Sequence, residues 1–286
     1  CLETQIYSRD YYDCGSWHDI GAVTDLPTEL YIEIQDSIYD ALRCPVSDTT
    51  GFVVSEVNTR VYKSNVEKIP LNVSSVYYNL NEDVEPDNSY ALVAAISNVA
   101  YPNSSMLAYT VRGKTSLGFY IDLSDLTENP EYKIDWMKSR DSNDSGLKGL
   151  NDGDVSTIIN FTSSKDTTSP ILISLETTDS TSVQYLYEIS DRTVNGFTVR
   201  FSSPIATNNY ILNWIIPTNA NSGMEPLPLG LDEITVVFVN PTLNLMNAVV
   251  GTIINVADAT SSMYPYQVVE KGITSFKVKF SSPIDS

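Results

Sequence analysis

Histidine is almost missing from this chain of 286 residues: there is one, His18, and cysteine occurs three times, at Cys1, Cys14 and Cys44, all near the N-terminus. Three cysteines at irregular spacing do not make a disulfide framework. Cys14 and Cys44 could pair, but free thiols are the expectation. The chain contains no Cys-x-x-Cys, no His-Glu-x-x-His, no Gly-x-Ser-x-Gly and no phosphate-binding glycine loop, so the common zinc, serine-nucleophile and nucleotide signatures are all missing. Basic residues are few as well. Seventeen Lys and Arg stand against 36 Asp and Glu, for a net charge of −19 and a pI near 4.2. Binding to a phosphate backbone rests on clustered Lys and Arg, so a nucleic-acid partner is not expected. No apolar run approaches the roughly 18 residues that cross a bilayer as a helix, and no membrane span is expected. The chain opens at Cys1 without a methionine and without a charged-then-apolar leader pattern, as either processing or an incomplete sequence would leave it.

What the chain has in plenty is repetition. Gly196-Phe-Thr-Val-Arg-Phe-Ser-Ser-Pro-Ile205, followed by Asn209-Tyr-Ile-Leu-Asn-Trp-Ile215, is written nearly the same way as Gly118-Phe-Tyr-Ile-Asp-Leu-Ser124 with Tyr132-Lys-Ile-Asp-Trp136. It returns as Ser275-Phe-Lys-Val-Lys-Phe-Ser-Ser-Pro-Ile284. Tyr109 to Tyr187, Phe119 to Phe197, Tyr132 to Tyr210 and Trp136 to Trp214 are each 78 residues apart. Tyr187 to Tyr266, Phe197 to Phe276 and Pro204 to Pro283 are 79 apart. A fixed step of this size marks tandem modules.

Each repeat reads as all-β. Phe197, Val199 and Phe201 alternate with Thr198 and Arg200, and Tyr210, Leu212 and Trp214 alternate with Ile211 and Asn213. A period of two puts one face in and one out, so these aromatics are expected in the core. Turns rich in Asn, Asp, Ser and Gly separate the strands, which predicts tandem antiparallel β-sandwich domains. The boundaries predicted are a docking segment over 1–26, a degenerate β unit over 27–70, and sandwich repeats over 71–138, 153–217 and 231–286, with linkers 139–152 and 218–230. The last repeat is expected to be incomplete at its C-terminus, because it stops before its Tyr and Trp strand. Units of about 80 residues are marginal alone, so stacking or oligomerisation is expected.

Few residues carry the pattern of a chemical site. Cys14, His18 and Asp19 lie together as nucleophile, base and orienting acid would, but a Cys and a His four apart are no motif, and a packed segment is expected. Asp141, Asn143 and Ser145, with Gly146 and then Asp152, fall at positions one, three, five, six and twelve of a calcium loop, which supplies oxygen ligands and a glycine for the turn. Lys148 within it and the want of flanking helices speak against the ion. Asp122 with Asp125 could serve a glycosidase, yet the second repeat has Arg200 and Ser203 at those places. Asn-x-Ser/Thr triplets begin at Asn72, Asn103, Asn143 and Asn160, as chance in so Asn-, Ser- and Thr-rich a chain would place them.

The order Pro170-Ile-Leu-Ile-Ser-Leu175, Tyr187-Glu-Ile-Ser190, Gly196-Phe-Thr-Val-Arg-Phe-Ser202 and the strand ending at Trp214 resembles the H-type lectin domain. The resemblance covers about three quarters of the chain and lies mostly in core positions. It implies a small six-stranded antiparallel sandwich that trimerises, of a kind also found in tailed-phage fibres, collars and baseplates. Members that bind galactose-type sugars use an Arg in the strand before the Gly-Phe strand and a Trp after Phe-x-Thr. Here the places fall on Gln184 and Pro204, on Met106 or Leu107, and on Leu126 or Pro283, so that site does not carry over. The expectation is a structural and adhesive virion protein, homo-oligomeric and trimeric, extracellular, not an enzyme. Its partners would be other virion proteins and a host surface glycan. A free-standing lectin and a glycan-degrading enzyme are the alternatives.

Overall fold

A computed structural model of the chain describes residues 10–13, 16–19, 62–80, 84–217, 222–238, 248–255 and 262–285. Every regular element among them is a β-strand. The chain divides into two units, Cys1–Val61 and Tyr62–Ser286.

In the first unit β1 (Asp10–Asp13) pairs antiparallel with β2 (Ser16–Asp19), setting Tyr12 opposite Trp17 and Tyr11 opposite His18. The three cysteines and most of the predicted docking segment lie outside the described residues.

The second unit holds three modules. Module 1 has β3 (Tyr62–Lys68), β4 (Ser75–Asn79), β5 (Ala91–Ser97), β6 (Tyr109–Arg112), β7 (Gly118–Leu123) and β8 (Lys133–Ser139). Its strands run β3-β8-β5 in one layer and β4-β7-β6 in the other. Module 2 repeats this with β9 (Ser145–Gly149), β10 (Ser156–Asn160), β11 (Leu172–Thr177), β12 (Tyr187–Thr193), β13 (Gly196–Phe201) and β14 (Tyr210–Ile215), as β9-β14-β11 over β10-β13-β12. Module 3 contributes β15 (Glu233–Val237), β16 (Tyr266–Lys271) and β17 (Ser275–Phe280), ordered β15-β17-β16.

The alternation in the sequence is the cause of this layering. Phe197, Val199 and Phe201 are buried against Tyr210, Leu212 and Trp214, while Thr198 and Arg200 on the same strand are half-buried on its other face. Fifteen buried apolar residues form the core of each of the first two modules. Gly118 and Gly196 open the inner strands because a Cβ there would stand 2.2 and 2.1 Å from the Tyr78 and Ile159 carbonyl oxygens. Ser275 holds the same place in module 3.

Two predicted boundaries move. Strand β3 pairs along its whole length with β8, so Tyr62–Lys68 is an edge of module 1 rather than part of a separate unit over 27–70; residues 27–61 lie outside the described residues. The linker 139–152 contains β9, which pairs with β14 from Gly149 opposite Ile211 to Ser145 opposite Ile215. Turn-like composition misleads here because an edge strand, hydrogen-bonded on one side only, tolerates Ser and Gly.

The modules do not stand as beads in a row. Strand β6 of module 1 pairs parallel with β11 of module 2, Val111 opposite Glu176. Ile189 of β12 bridges in parallel to Ile254 of module 3, with Ile189 N–H donating to Ile253 O and Asn255 N–H to Ile189 O. Strand β16 of module 3 then pairs parallel with β5 of module 1, Val268 opposite Ser97. The order is cyclic, and Val111, Ile189 and Val268 are equivalent residues, so three modules of one chain close around an approximate threefold axis. Because β5 and β11 have a module core on one face and the axis on the other, they are buried along their full length, β5 as a nearly continuous apolar run and β11 with Ser174, Glu176 and Thr177 buried among its apolar residues. Val93, Leu172 and Val250 meet with Ala91 and Ile215 in an axial core of their own.

Candidate functional site: the threefold axis and its seams

Three tyrosines occupy equivalent places around the axis. Tyr109 donates its hydroxyl hydrogen to Ala94 O at 2.5 Å, and Tyr266 does the same to Gly251 O at 2.6 Å, each fifteen residues back in its own module. The Tyr187 hydroxyl reaches that of Tyr109 at 3.3 Å. They line a cavity of about 50 Å³ together with Leu107, Tyr185 and Tyr264, and with Ala108, Leu186 and Pro265. Each trio repeats at the 78- and 79-residue steps. The space is too small for a sugar ring; it is a join between modules.

Removal from water pushes all three phenols up. Tyr187 is raised to about 12, with the hydrogen bond to Tyr109 opposing the rise, and Tyr109 and Tyr266 are raised further because the neighbouring phenols add to their burial. Their contribution to stability is whole below about pH 10, where an unfolded tyrosine ionises, and is lost as pH climbs through the folded values. The thermal midpoint is therefore expected to fall between about pH 10 and 12, with a fraction of the 295 nm phenolate absorbance appearing only on unfolding. A midpoint that stays flat over that window would contradict a closed axis.

The seams are fastened by buried charge. Lys114, two residues past the end of β6, crosses from module 1 to pair with Glu176 at 2.7 Å and to donate to Asn213 Oδ1 at 2.9 Å, and it also holds its own module's Tyr90 O at 2.6 Å. Both side chains of the ion pair are nearly inaccessible, at 1% and 4%. Burial pulls the Lys114 ammonium below its usual value, against the pull of Glu176. Lys271, two repeats on, crosses from module 3 to pair with Asp135 of module 1. Asp135 and Asn213 are equivalent, as are Ser97 and Glu176, so each of these two seams holds one carboxylate, but on different strands of its module. The same two side chains accept backbone N–H groups from the preceding module, Asp135 from Val249 and Asn213 from Leu92.

Module 1 also carries an exposed aromatic surface. Tyr77 and Tyr120 are cross-strand neighbours with ring centroids 4.9 Å apart, and the Arg112 guanidinium lies 4.3 Å over the Tyr120 ring. Arg112 binds Asp122 at 2.6 Å, and Ser75 and Ser182 donate to the same carboxylate. Burial raises the Asp122 carboxyl, but these hydrogen bonds more than offset it and hold it below the ordinary value. Asp122 thus has no proton to donate at neutral pH, and Asp125 is turned to solvent with its carboxylate on the Leu126 N–H. The two do not make an acid–base pair.

Compared with protein-family models, curated proteins and solved structures, the chain matches none.

The calcium ligands predicted at Asp141, Asn143, Ser145 and Asp152 are not brought together. Asp141 caps its own turn by accepting from Asn143 N–H, and Ser145 is buried, donating to Asp141 O. Strand β9 then runs away from the turn at about 3.3 Å per residue, leaving Asp152 beyond its far end. Gly146 serves something else: a Cβ there would stand 2.9 Å from the Trp214 indole. Among the described residues no cluster of three His, Cys, Asp or Glu could hold a metal ion. At the lectin positions, Gln184 is tied to Ser182, Leu107 is buried in the core and Pro204 is exposed. Cys14 lies outside the described residues, so the Cys14 and His18 pairing has no described counterpart.

Proposed function

We propose that the chain is a structural and adhesive component of a bacteriophage virion appendage, a fibre, collar or head decoration. The observation that carries this reading is the cyclic main-chain pairing of the three modules, with Lys114 and Lys271 fastening two of the seams. In such a body the buried cations and carboxylates hold modules together instead of facing a cleft, and the work done is mechanical. A threefold arrangement built within one chain provides what the resemblance implied would need three chains. Rigid modules in fixed relation present several weak contacts at once, and avidity multiplies them. Mass spectrometry of phage particles purified from the source culture is expected to recover the tryptic peptide Thr193–Arg200 at stoichiometric abundance. Particles lacking it would refute the assignment.

A second reading is favoured by one surface. The stacked Tyr77, Tyr120 and Arg112 beside Asp122 combine an apolar ring face with charged hydrogen-bonding groups, as a sugar-binding platform does. Module 2 has Ile158 and Thr198 at the paired ring positions, so the platform belongs to module 1 alone. Glycan-array binding that disappears in Tyr120→Ala is what this reading requires.

A further inference from the structure

The seam between modules 1 and 2 brings an amine, a carboxamide and a carboxylate into mutual contact. Glu176 and Asn213 share one face of the paired strands β11 and β14, since Asn213 lies opposite Ser174 and Glu176 opposite Ile211. Lys114 reaches that face from module 1, with its Nζ 2.7 Å from Glu176 Oε2 and 2.9 Å from Asn213 Oδ1. All three residues are buried, Asn213 completely.

The carboxamide is held as an acyl donor would be. Its oxygen accepts the Leu92 N–H at 3.1 Å as well as the Lys114 hydrogen, while its Nδ2 donates to Glu176 Oε2 at 3.1 Å. This pattern fixes which end of the side chain is oxygen and draws electrons away from Cγ. Oδ1 is one C=O bond, about 1.2 Å, from Cγ, so the amine lies against the carbon it would attack. Tyr90 O, accepting from Nζ at 2.6 Å, holds the amine in place. Burial lowers the Lys114 ammonium from its usual value, which favours the neutral amine that a nucleophile must be.

At the other two repeat positions one part is exchanged. Lys271 pairs with Asp135, which replaces the carboxamide, and Ser97 stands in the place of Glu176. Arg192, at the repeat position of Lys114, carries a guanidinium that does not give up its proton.

We propose that Lys114 and Asn213 are joined by an amide bond between Nζ and Cγ, formed by the folded chain itself with Glu176 as the acid–base group. Glu176 takes one proton from the Lys114 ammonium, and the freed amine attacks Cγ, forming the new C–N bond and placing negative charge on Oδ1, where the Leu92 N–H receives it. Glu176 gives its proton to Nδ2 and takes a second from Nζ. The Cγ–Nδ2 bond then breaks, the carbonyl re-forms, and the old amide nitrogen leaves as ammonia. Nothing is oxidised and no co-reactant is consumed. The product ties modules 1 and 2 together covalently, and the chemistry is the same whether or not the chain belongs to a virion. The energetics of the buried ion pair belong to the chain before this bond closes.

Electrospray mass spectrometry of the purified chain 1–286, denatured in urea, is the test. The parent is expected to be lighter than its sequence by one ammonia, and trypsin to yield residues 113–133 joined to 201–271, uncut after Lys114. Lys114→Arg and Glu176→Gln should each keep the full mass, whereas Lys271→Arg should lose the ammonia as the parent does. The parent alone decides whether the bond exists, so the folding of the variants does not enter that result. A parent of full sequence mass would overturn the proposal, and so would loss of water in place of ammonia, or a deficit that persists in Lys114→Arg or Glu176→Gln.

Discussion

Glu176→Gln is expected to destabilise the folded chain by about 3–5 kcal/mol, because it removes the one carboxylate that, among the described residues, binds the inaccessible Lys114 ammonium, and leaves that charge buried. The carbonyl of Tyr90 and the amide oxygen of Asn213 remain, and the Tyr90 ring lies 4.8 Å beneath the ammonium, but none of these neutralises it. Urea denaturation at pH 7 measures the loss. The deficit should shrink as pH rises, since burial already draws the lysine down and a neutral amine is no longer penalised. The double variant Lys114→Met with Glu176→Gln should recover most of it, because removing both charges from a buried pair is often close to neutral. A single variant as stable as the parent would mean the seam opens to water.

Trp214→Ala should cost a comparable amount, about 3–5 kcal/mol. The indole is buried, packs edge-on against Phe197 at 6.1 Å and tilted against Phe161 at 5.7 Å, and is covered by Gly146 of the edge strand β9. Alanine would leave a void bounded by two aromatic rings and a backbone already held in register by β11 and β9, which limits collapse. The same denaturation experiment decides it. A change under 1 kcal/mol would place the ring at the surface, where it could meet a ligand.

The interior of each module was legible in the sequence because core positions obey two periods at once, the alternation along a strand and the step of 78 or 79 between modules. Tyr109, Tyr187 and Tyr266 follow both and do share one environment. The closure of the ring was not legible, since parallel pairing between edges of different modules joins residues such as Val268 and Ser97 that no local pattern relates. Strand β9 was hidden by its composition, Ser-Gly-Leu-Lys-Gly, in which Gly146 looks like a turn and is in fact making room for an indole. The seam charges left a signal that aromatic spacing alone overlooks. Lys114, Arg192 and Lys271 recur at the module step, and so do Asp135 and Asn213, one residue before each tryptophan. A cation repeating in phase with a core, on a chain so short of cations, marks a contact between copies.

Joining three modules in one polypeptide frees them from being identical. On the outer faces Asp122, Arg200 and Lys279 stand at the same repeat position, one acid against two bases. A ring of three separate, equal chains would show a partner the same profile at every 120° turn. This one sets a single acid against two bases, so a partner that reads charge can seat it in a single rotational setting, and each flank is able to change without altering the other two.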